Sequence, residues 1–183
     1  MTMPMPRPFG ALALCALLSA CAHGADETAM IPAAIAPLPA GNPHRGAISD
    51  IETAGGKDTN PALASQIADA DFKAALRSAL LLSGAYSASG RYVLRAEIEE
   101  ITQPLFGLDM QVGLTVRYRL QDRAGKTRWE RRIVTRHTAR LGESFLGSER
   151  LRYANEGAAR ENIAAFLRAL GAEARAGGVA GVS

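Results

Sequence analysis

The sequence predicts an α+β fold in two layers, with a mostly antiparallel sheet and two helices on one face of that sheet. Three observations predict it: four segments alternate apolar and polar residues, two segments have helical apolar stripes, and their order is β-α-β-β-β-α. Strands joined by short turns pair antiparallel, and the helices then cover one face. A right-handed crossover through the first helix makes the first strand parallel to the second.

Length and composition are those of one ordinary globular domain. The chain has 183 residues, of which 48% are hydrophobic and 21% are charged. The 21 basic and 18 acidic residues leave a net charge of only +3, which argues against a nucleic-acid partner. Two cysteines are too few for a disulfide-dense fold or a cysteine-rich zinc module.

Residues 1–20 have the three parts of a secretory signal peptide. Arg7 provides the positive charge, residues 9–18 form an apolar run, and small residues follow it. The run is shorter than the about 20 residues that a membrane-spanning helix needs. Cys15 lies in the segment that would be removed, so the mature chain would keep one sulfur, that of Cys21.

Residues 18–21, Leu-Ser-Ala-Cys, resemble the lipobox of bacterial lipoproteins. The resemblance implies that Cys21 receives a diacylglyceryl group and becomes the acylated first residue after cleavage. Several acyl chains on one residue make a durable membrane anchor. In such lipoproteins an aspartate directly after the cysteine often accompanies inner-membrane retention, and residue 22 is alanine. The resemblance therefore implies that the protein is anchored in the outer membrane and faces the periplasm. The alternative is an ordinary signal peptide with an incidental cysteine.

Residues 21–45 are rich in alanine and proline, and we expect a lipidated, solvated tether. Prolines interrupt every short apolar run, so the segment has little surface to bury by itself: Pro32, Pro37, Pro39, Pro43. His23 and His44 are expected to be solvated and without function. A single folded domain is then expected over residues 46–172, followed by a flexible tail at 173–183.

The first strand is expected at residues 47–53, and a loop rich in turn-forming residues follows it. The first helix is expected to begin near Asp69 or Asp71, whose carboxylates cap free N–H groups, and to end before Gly84. Its apolar residues follow the helical spacing i, i+3, i+4, i+7 and i+8: Phe72, Ala75, Leu76, Ala79, Leu80.

Three alternating strands and a long helix follow. The second and third strands have apolar residues at every other position: Tyr92, Leu94, Ala96, Ile98, Met110, Val112, Leu114, Val116, Tyr118, Leu120. Residues 122–126 form a hairpin turn, and the fourth strand at 127–138 places Trp129 on its inner side. The second helix is expected at residues 148–170, where Gly157 allows close approach to the sheet.

Two loops of this topology have apolar tips. The loops 55–68, 102–109 and 138–148 are expected to gather at one end of the sheet, with both helix N-termini. The apolar residues in their tips are Leu105, Phe106, Leu108, Phe145 and Leu146. Either Phe106 and Phe145 fold back as lids on the core, or the tips form an exposed cluster that docks a protein, a lipid chain or a membrane surface. We expect the tether to enter at the opposite end.

No catalytic, metal-binding or nucleotide-binding motif is present, so we expect neither an enzyme nor a bound cofactor. The outer face of the sheet is expected to carry a row of arginines: Arg117, Arg119, Arg128, Arg132, Arg136. They either pair with Glu97, Glu99 and Glu130 or form a shallow cationic surface for an anionic envelope component. Arginine suits the second role because it binds phosphates and carboxylates through two hydrogen bonds.

Five stretches resemble a widespread group of small, uncharacterised envelope lipoproteins of proteobacteria: residues 53–57, 60–61, 71–76, 103–110 and 149–157. The order of elements is more distantly similar to that of the YajG-type lipoproteins and of auxiliary lipoproteins of envelope transporters. These resemblances imply a location and a fold, and they supply no catalytic residues.

The sequence therefore predicts a lipid-anchored binding or scaffolding lipoprotein of the bacterial cell envelope. Its expected partners are the membrane, through the anchor, and an envelope protein or lipid. The alternative is an accessory lipoprotein of an envelope lipid or lipopolysaccharide transport system, which could hold an acyl chain.

Overall fold

A computed structural model describes residues 23–59, 65–104 and 106–176. The expected signal peptide and Cys21 lie outside these residues. The elements follow the predicted order, and the α+β class is confirmed: β1 (Ile48–Ala54), α1 (Asp69–Leu82), β2 (Tyr92–Thr102), β3 (Met110–Asp122), β4 (Thr127–Ala139), a short 3-10 helix (Leu141–Glu143) and α2 (Gly147–Ala176).

The four strands form one mixed sheet in the order β1-β2-β3-β4. β1 is parallel to β2, as the right-handed crossover predicts, and the other two pairings are antiparallel. Helix α2 packs against β3 and β4, and α1 packs against β1. The loops after β1, β2 and β4 therefore lie at the same end of the sheet, which we call the loop end.

The core lies between the sheet and the helices because the alternating apolar residues of the strands all face inward. Every one of the six inward positions of β3 is buried, and so is the predicted stripe of α1. On β2 a bulge follows Ile98, since Ile98 pairs with Val116 while Glu100 pairs with Thr115. The bulge leaves both Glu99 and Glu100 exposed on the outer face.

Aromatic rings join α2 to β3 and β4. Phe166 stacks on Tyr118, with ring centroids 4.2 Å apart, and its ring lies 5.8 Å from that of Trp129. The Tyr118 hydroxyl donates to Oδ1 of Asn162 at 2.8 Å, which satisfies the buried polar group. Gly157 is needed for this packing, since a Cβ there would lie 2.0 Å from the His137 ring.

Helix α1 ends as predicted but begins differently. Gly84 follows the helix with φ of +71°, the left-handed conformation that glycine adopts without strain. At the start, no side chain of the described residues caps the helix, and the Asp69 carboxylate instead accepts the N–H of Gly56 at 2.9 Å. The expected carboxylate cap was therefore wrong, although Asp69 and Asp71 do lie in the first turn.

Residues 23–45 pack on the helices, so the predicted solvated tether is wrong for this part of the chain. Met30 and Leu38 are buried. The side-chain amide of Asn42 donates to the carbonyl oxygen of Leu170 at 2.9 Å. The segment lacks a periodic apolar pattern because it contributes isolated side chains to a surface that α1 and α2 provide.

His44 and the end of α2 also differ from expectation. His44 is buried, with its Nε2 atom 3.1 Å from Oε2 of Glu173, and its ring lies edge-on to Trp129. Glu173 belongs to α2, which continues to Ala176, so the helix extends past the predicted end and the expected tail does not begin at residue 173. Residues 177–183 lie outside the described part of the chain.

The chain joins the fold at the loop end, and the expectation that it enters at the opposite end was wrong. The N–H of Ala25 donates to the carbonyl oxygen of Gln66, in the loop before α1, at 3.1 Å. His23 shares a shallow depression with Asp71 in the first turn of α1 and with Glu149 in the first turn of α2. From there the segment runs along α2 towards its C-terminal end, where Asn42 and His44 are bound.

Candidate functional site

Buried amide hydrogen bonds join three segments at the loop end. Nε2 of Gln103, which follows β2, donates to the carbonyl oxygen of Ser65 at 3.1 Å and to Oδ1 of Asn155 at 2.7 Å. Nδ2 of Asn155, in α2, donates to the same carbonyl oxygen at 3.0 Å. Since Ser65 precedes α1, these bonds show that the loop before α1 and the loop after β2 meet beside α2 at the loop end.

Arg150 links the two loops with apolar tips. Its guanidinium donates to the carbonyl oxygen of Ser144 at 2.6 Å and to that of Gly107 at 3.3 Å. Phe145 directly follows Ser144, and Phe106 directly precedes Gly107, so one side chain fixes the bases of both tips. Arg150 is only 5% exposed, and sequence reasoning missed it because an arginine in the first turn of a helix resembles a solvated residue.

The apolar side chains of these tips point into solvent. Phe106 is 86% exposed and Phe145 is 91% exposed, so the interpretation of these rings as lids on the core is wrong. Leu108 and Leu146 are exposed as well. Leu105 lies outside the described residues. We call Phe106, Leu108, Phe145 and Leu146 the loop-end tip.

Replacing Arg150 with alanine is expected to lower the free energy of unfolding by about 1–3 kcal/mol, because two partly buried carbonyl groups lose a charged donor. Amide hydrogen exchange should accelerate in residues 106–109 and 141–146. Arg168→Ala is the matched control, since Arg168 is an exposed arginine of the same helix. Equal effects of the two substitutions in denaturant unfolding would contradict this role of Arg150.

The arginines of the outer sheet face form ion pairs with neighbouring glutamates. Nε of Arg132 donates to Glu99 at 2.6 Å, and Arg117 pairs with the same carboxylate. Arg119 pairs with Glu97. Arg136 makes no ion pair within the described part of the chain. Most of the positive charge of this face is therefore balanced by adjacent carboxylates, which weakens the interpretation of a cationic docking surface.

The two guanidinium groups lower the pKa of Glu99, chiefly through the hydrogen bond from Arg132 and then that from Arg117. A lowered carboxyl pKa in the folded chain stabilises the fold above the ordinary glutamate pKa. That stabilisation is lost as the pH falls through the lowered pKa.

Glu99→Gln is therefore expected to lower Tm at pH 7, and its difference from the wild type should shrink between about pH 5 and pH 2. Glu100→Gln is the control, since Glu100 is exposed beside it and forms no ion pair with another described residue. Thermal unfolding followed by circular dichroism across this pH range tests the prediction. A Tm difference that is independent of pH would contradict it.

Two histidines of the fold, His44 and His137, contact carboxylates of α2. Nδ1 of His137 lies 2.7 Å from Oε1 of Glu161, and His44 contacts Glu173 as described above. Among the residues that the structure describes, no three histidine, cysteine or acidic side chains are grouped so that they could hold a metal ion. In the same residues, no helix is both long and apolar enough to cross a membrane.

Comparison with solved structures identifies proteins with the same fold. A Xanthomonas campestris protein of the DUF330 family superposes with a TM-score of 0.54 at 13% identity, covering 79% of this chain and 93% of the other. A Caulobacter crescentus protein named as a lipoprotein gives a TM-score of 0.53 at 15% identity, covering 76% and 98%. At these identities the likeness shows a shared fold. No protein-family model and no curated protein matches the sequence.

Proposed function

We propose that this chain is a lipoprotein of the bacterial cell envelope, anchored through Cys21, which acts by binding rather than by catalysis. The sequence of residues 18–21 supports the anchor. The shared fold adds support, because the Caulobacter crescentus neighbour is named as a lipoprotein. Ala22 favours the outer membrane, with the folded part in the periplasm.

The observation that carries the binding role is the exposure of the loop-end tip. Isolated surface leucines are common in folded proteins, but grouped apolar side chains on linked loops are typical of interaction sites. The arginine face is the weaker candidate, because its guanidinium groups already bind Glu97, Glu99 and Glu130. The tip is therefore the surface through which we propose that the protein contacts an envelope component.

Mass spectrometry of the native protein after detergent extraction tests the anchor. We expect the mature chain to begin at Cys21 and to carry acyl chains. Cys21→Ser should remove the acylation, while Cys15→Ser should leave it intact because that residue is cleaved off. Recovery of a mature chain with a free Cys21 thiol would contradict the proposed function.

Membrane fractionation tests the location. The native protein is expected in the outer membrane, and Ala22→Asp is expected to move it towards the inner membrane. An unchanged distribution of the Ala22→Asp variant would show that residue 22 does not direct the protein.

A second candidate function, that of an accessory lipoprotein in lipid transport, is favoured by a crevice between the N-terminal segment and α2. It has a volume of about 510 Å³, within the range of ligand sites. Its lining is largely apolar: Ile35, Pro37, Leu38, Ala164, Leu167, Gly171. Mass spectrometry of gently extracted protein should then detect a stoichiometric lipid, and Ala164→Leu, which fills the crevice, should reduce it. Absence of lipid from the wild type would contradict this candidate.

A further inference from the structure

We infer that the loop-end tip contacts the phospholipid surface in which the protein is anchored. The inference rests on the proposed acylation of Cys21 and specifies what the tip binds. It makes the loop end a second, non-covalent membrane contact beside the lipid anchor.

The position where the chain joins the fold supports this inference. His23 lines the same depression as Asp71 and Glu149 at the helix N-termini. Oε2 of Glu149 accepts a hydrogen bond from the Ser144 hydroxyl at 2.6 Å, and Ser144 is followed by Phe145. Only Ala22 lies between Cys21 and His23, so the two residues are at most about 7 Å apart along the chain. An acyl group on Cys21 therefore holds the loop end close to the bilayer.

The loop end buries a charged side chain and exposes apolar ones, which is the reverse of the usual distribution in water. At this end a cationic side chain, Arg150, is buried, while the phenylalanine rings of the two loops that it hydrogen-bonds are almost fully exposed. Arginine is almost never buried without a reason, and phenylalanine is among the residues most often buried. The buried guanidinium fixes the backbone at the base of both tips, and both rings lie outside the core. This arrangement is favourable where the outside is itself apolar.

The charges around the tip do not select a membrane of either charge, and they therefore favour a phospholipid surface that need not be charged. Exposed residues of both signs lie in the surrounding loops: Lys57, Asp58, Asp109, Arg140, Glu143. No single sign dominates, so apolar insertion and not charge attraction would provide the binding free energy. A protein partner would have to fit between the tip and the membrane to which the anchor holds this end of the fold.

Site-directed fluorescence on the acylated protein in phosphatidylethanolamine and phosphatidylcholine vesicles tests the inference. The mature chain has no free thiol once Cys21 is acylated, so Leu146→Cys gives a single labelling site in the tip. Leu82→Cys is the control, since Leu82 is 61% exposed at the other end of α1. A nitroxide carried on the lipid headgroup should quench the label at position 146 and not the label at position 82.

A second measurement tests whether the quenching at position 146 depends on the two phenylalanines of the tip. Adding Phe106→Ser and Phe145→Ser should abolish the quenching at position 146, whereas Leu81→Ser at the other end should not change it. Because both phenylalanine side chains are exposed, these substitutions leave the core intact, as circular dichroism would verify. Quenching at position 146 should also persist in high salt, since the proposed contact is apolar.

The other possible results distinguish a failure of the tip contact from a failure of the lipid anchor. An acylated protein whose label at position 146 is unquenched would overturn the tip contact and leave the anchor standing. A chain without acyl groups would overturn both proposals. Photo-crosslinking from position 106 in intact envelopes is expected to give lipid adducts, and a single protein adduct in their place would overturn the inference in favour of a protein partner.

Discussion

Replacing Phe166 with alanine is expected to destabilise the fold by about 3–5 kcal/mol. The Phe166 side chain is fully buried and lies between α2 and the sheet. Its ring stacks on Tyr118 with an interplanar angle of 8° and also contacts Trp129. Truncation would remove an aromatic stack and leave a cavity that the surrounding β-strands cannot fill, since their backbones are fixed by the sheet.

Denaturant unfolding of the variant measures this loss. Phe145→Ala is the matched control, because it deletes the same atoms from a ring that is 91% exposed. We expect the control to change the free energy of unfolding by less than about 0.5 kcal/mol. A large loss for both variants would show that Phe145 is part of the core and would contradict its assignment to the loop-end tip.

The sheet and its helices could be predicted because their signals are local. The six inward residues of β3 alternate without a break, and the α1 stripe follows the helical period, so each pattern fixes the face that is buried. The parallel β1–β2 pairing followed from a general rule of chain handedness and needed no information about side chains. The meeting of the loops at one end then follows from the strand directions alone.

The N-terminal segment could not be predicted because its contacts are distant in sequence. The bond between Asn42 and Leu170 joins residues 128 positions apart, and that between Asp26 and Glu156 joins residues 130 positions apart. Met30 is fully buried, although the prolines that follow it interrupt any helical or strand pattern. Composition predicts that the segment has little surface to bury by itself, but it carries no information about a surface elsewhere that the segment covers.

The sequence predicted that the two apolar loop tips meet at one end of the sheet, but it did not predict that their side chains are exposed. Strand directions bring Phe106 and Phe145 to the same end, yet a buried and an exposed orientation of the rings agree equally well with that topology. Arg150 fixes the backbone at the base of both tips through hydrogen bonds to two loop carbonyl groups. A single side chain that binds backbone carbonyls has no sequence pattern.

Replacing Met30 with alanine is expected to lower the free energy of unfolding by about 2–5 kcal/mol, although Met30 lies in a segment whose composition is that of a linker. The side chain is fully buried, so its removal leaves a cavity beneath residues 23–45. Glu27→Ala is the control within the same segment, because Glu27 is exposed. Denaturant unfolding and limited proteolysis measure the effect. A Met30→Ala variant as stable as the control would contradict the packing of this segment and support the solvated tether that its composition predicts.

Detachment of this segment would also separate the anchor from the loop-end tip. When residues 23–45 are packed, at most about 7 Å of chain lies between Cys21 and the fold. If they are released, the same acyl group holds the body through 23 more residues, which can span up to about 75 Å. The effective concentration of the tip at the bilayer then falls steeply with the added length. Met30→Ala should therefore reduce the quenching of a label at position 146 without altering acylation, a result that a flexible tether in the native protein would not produce.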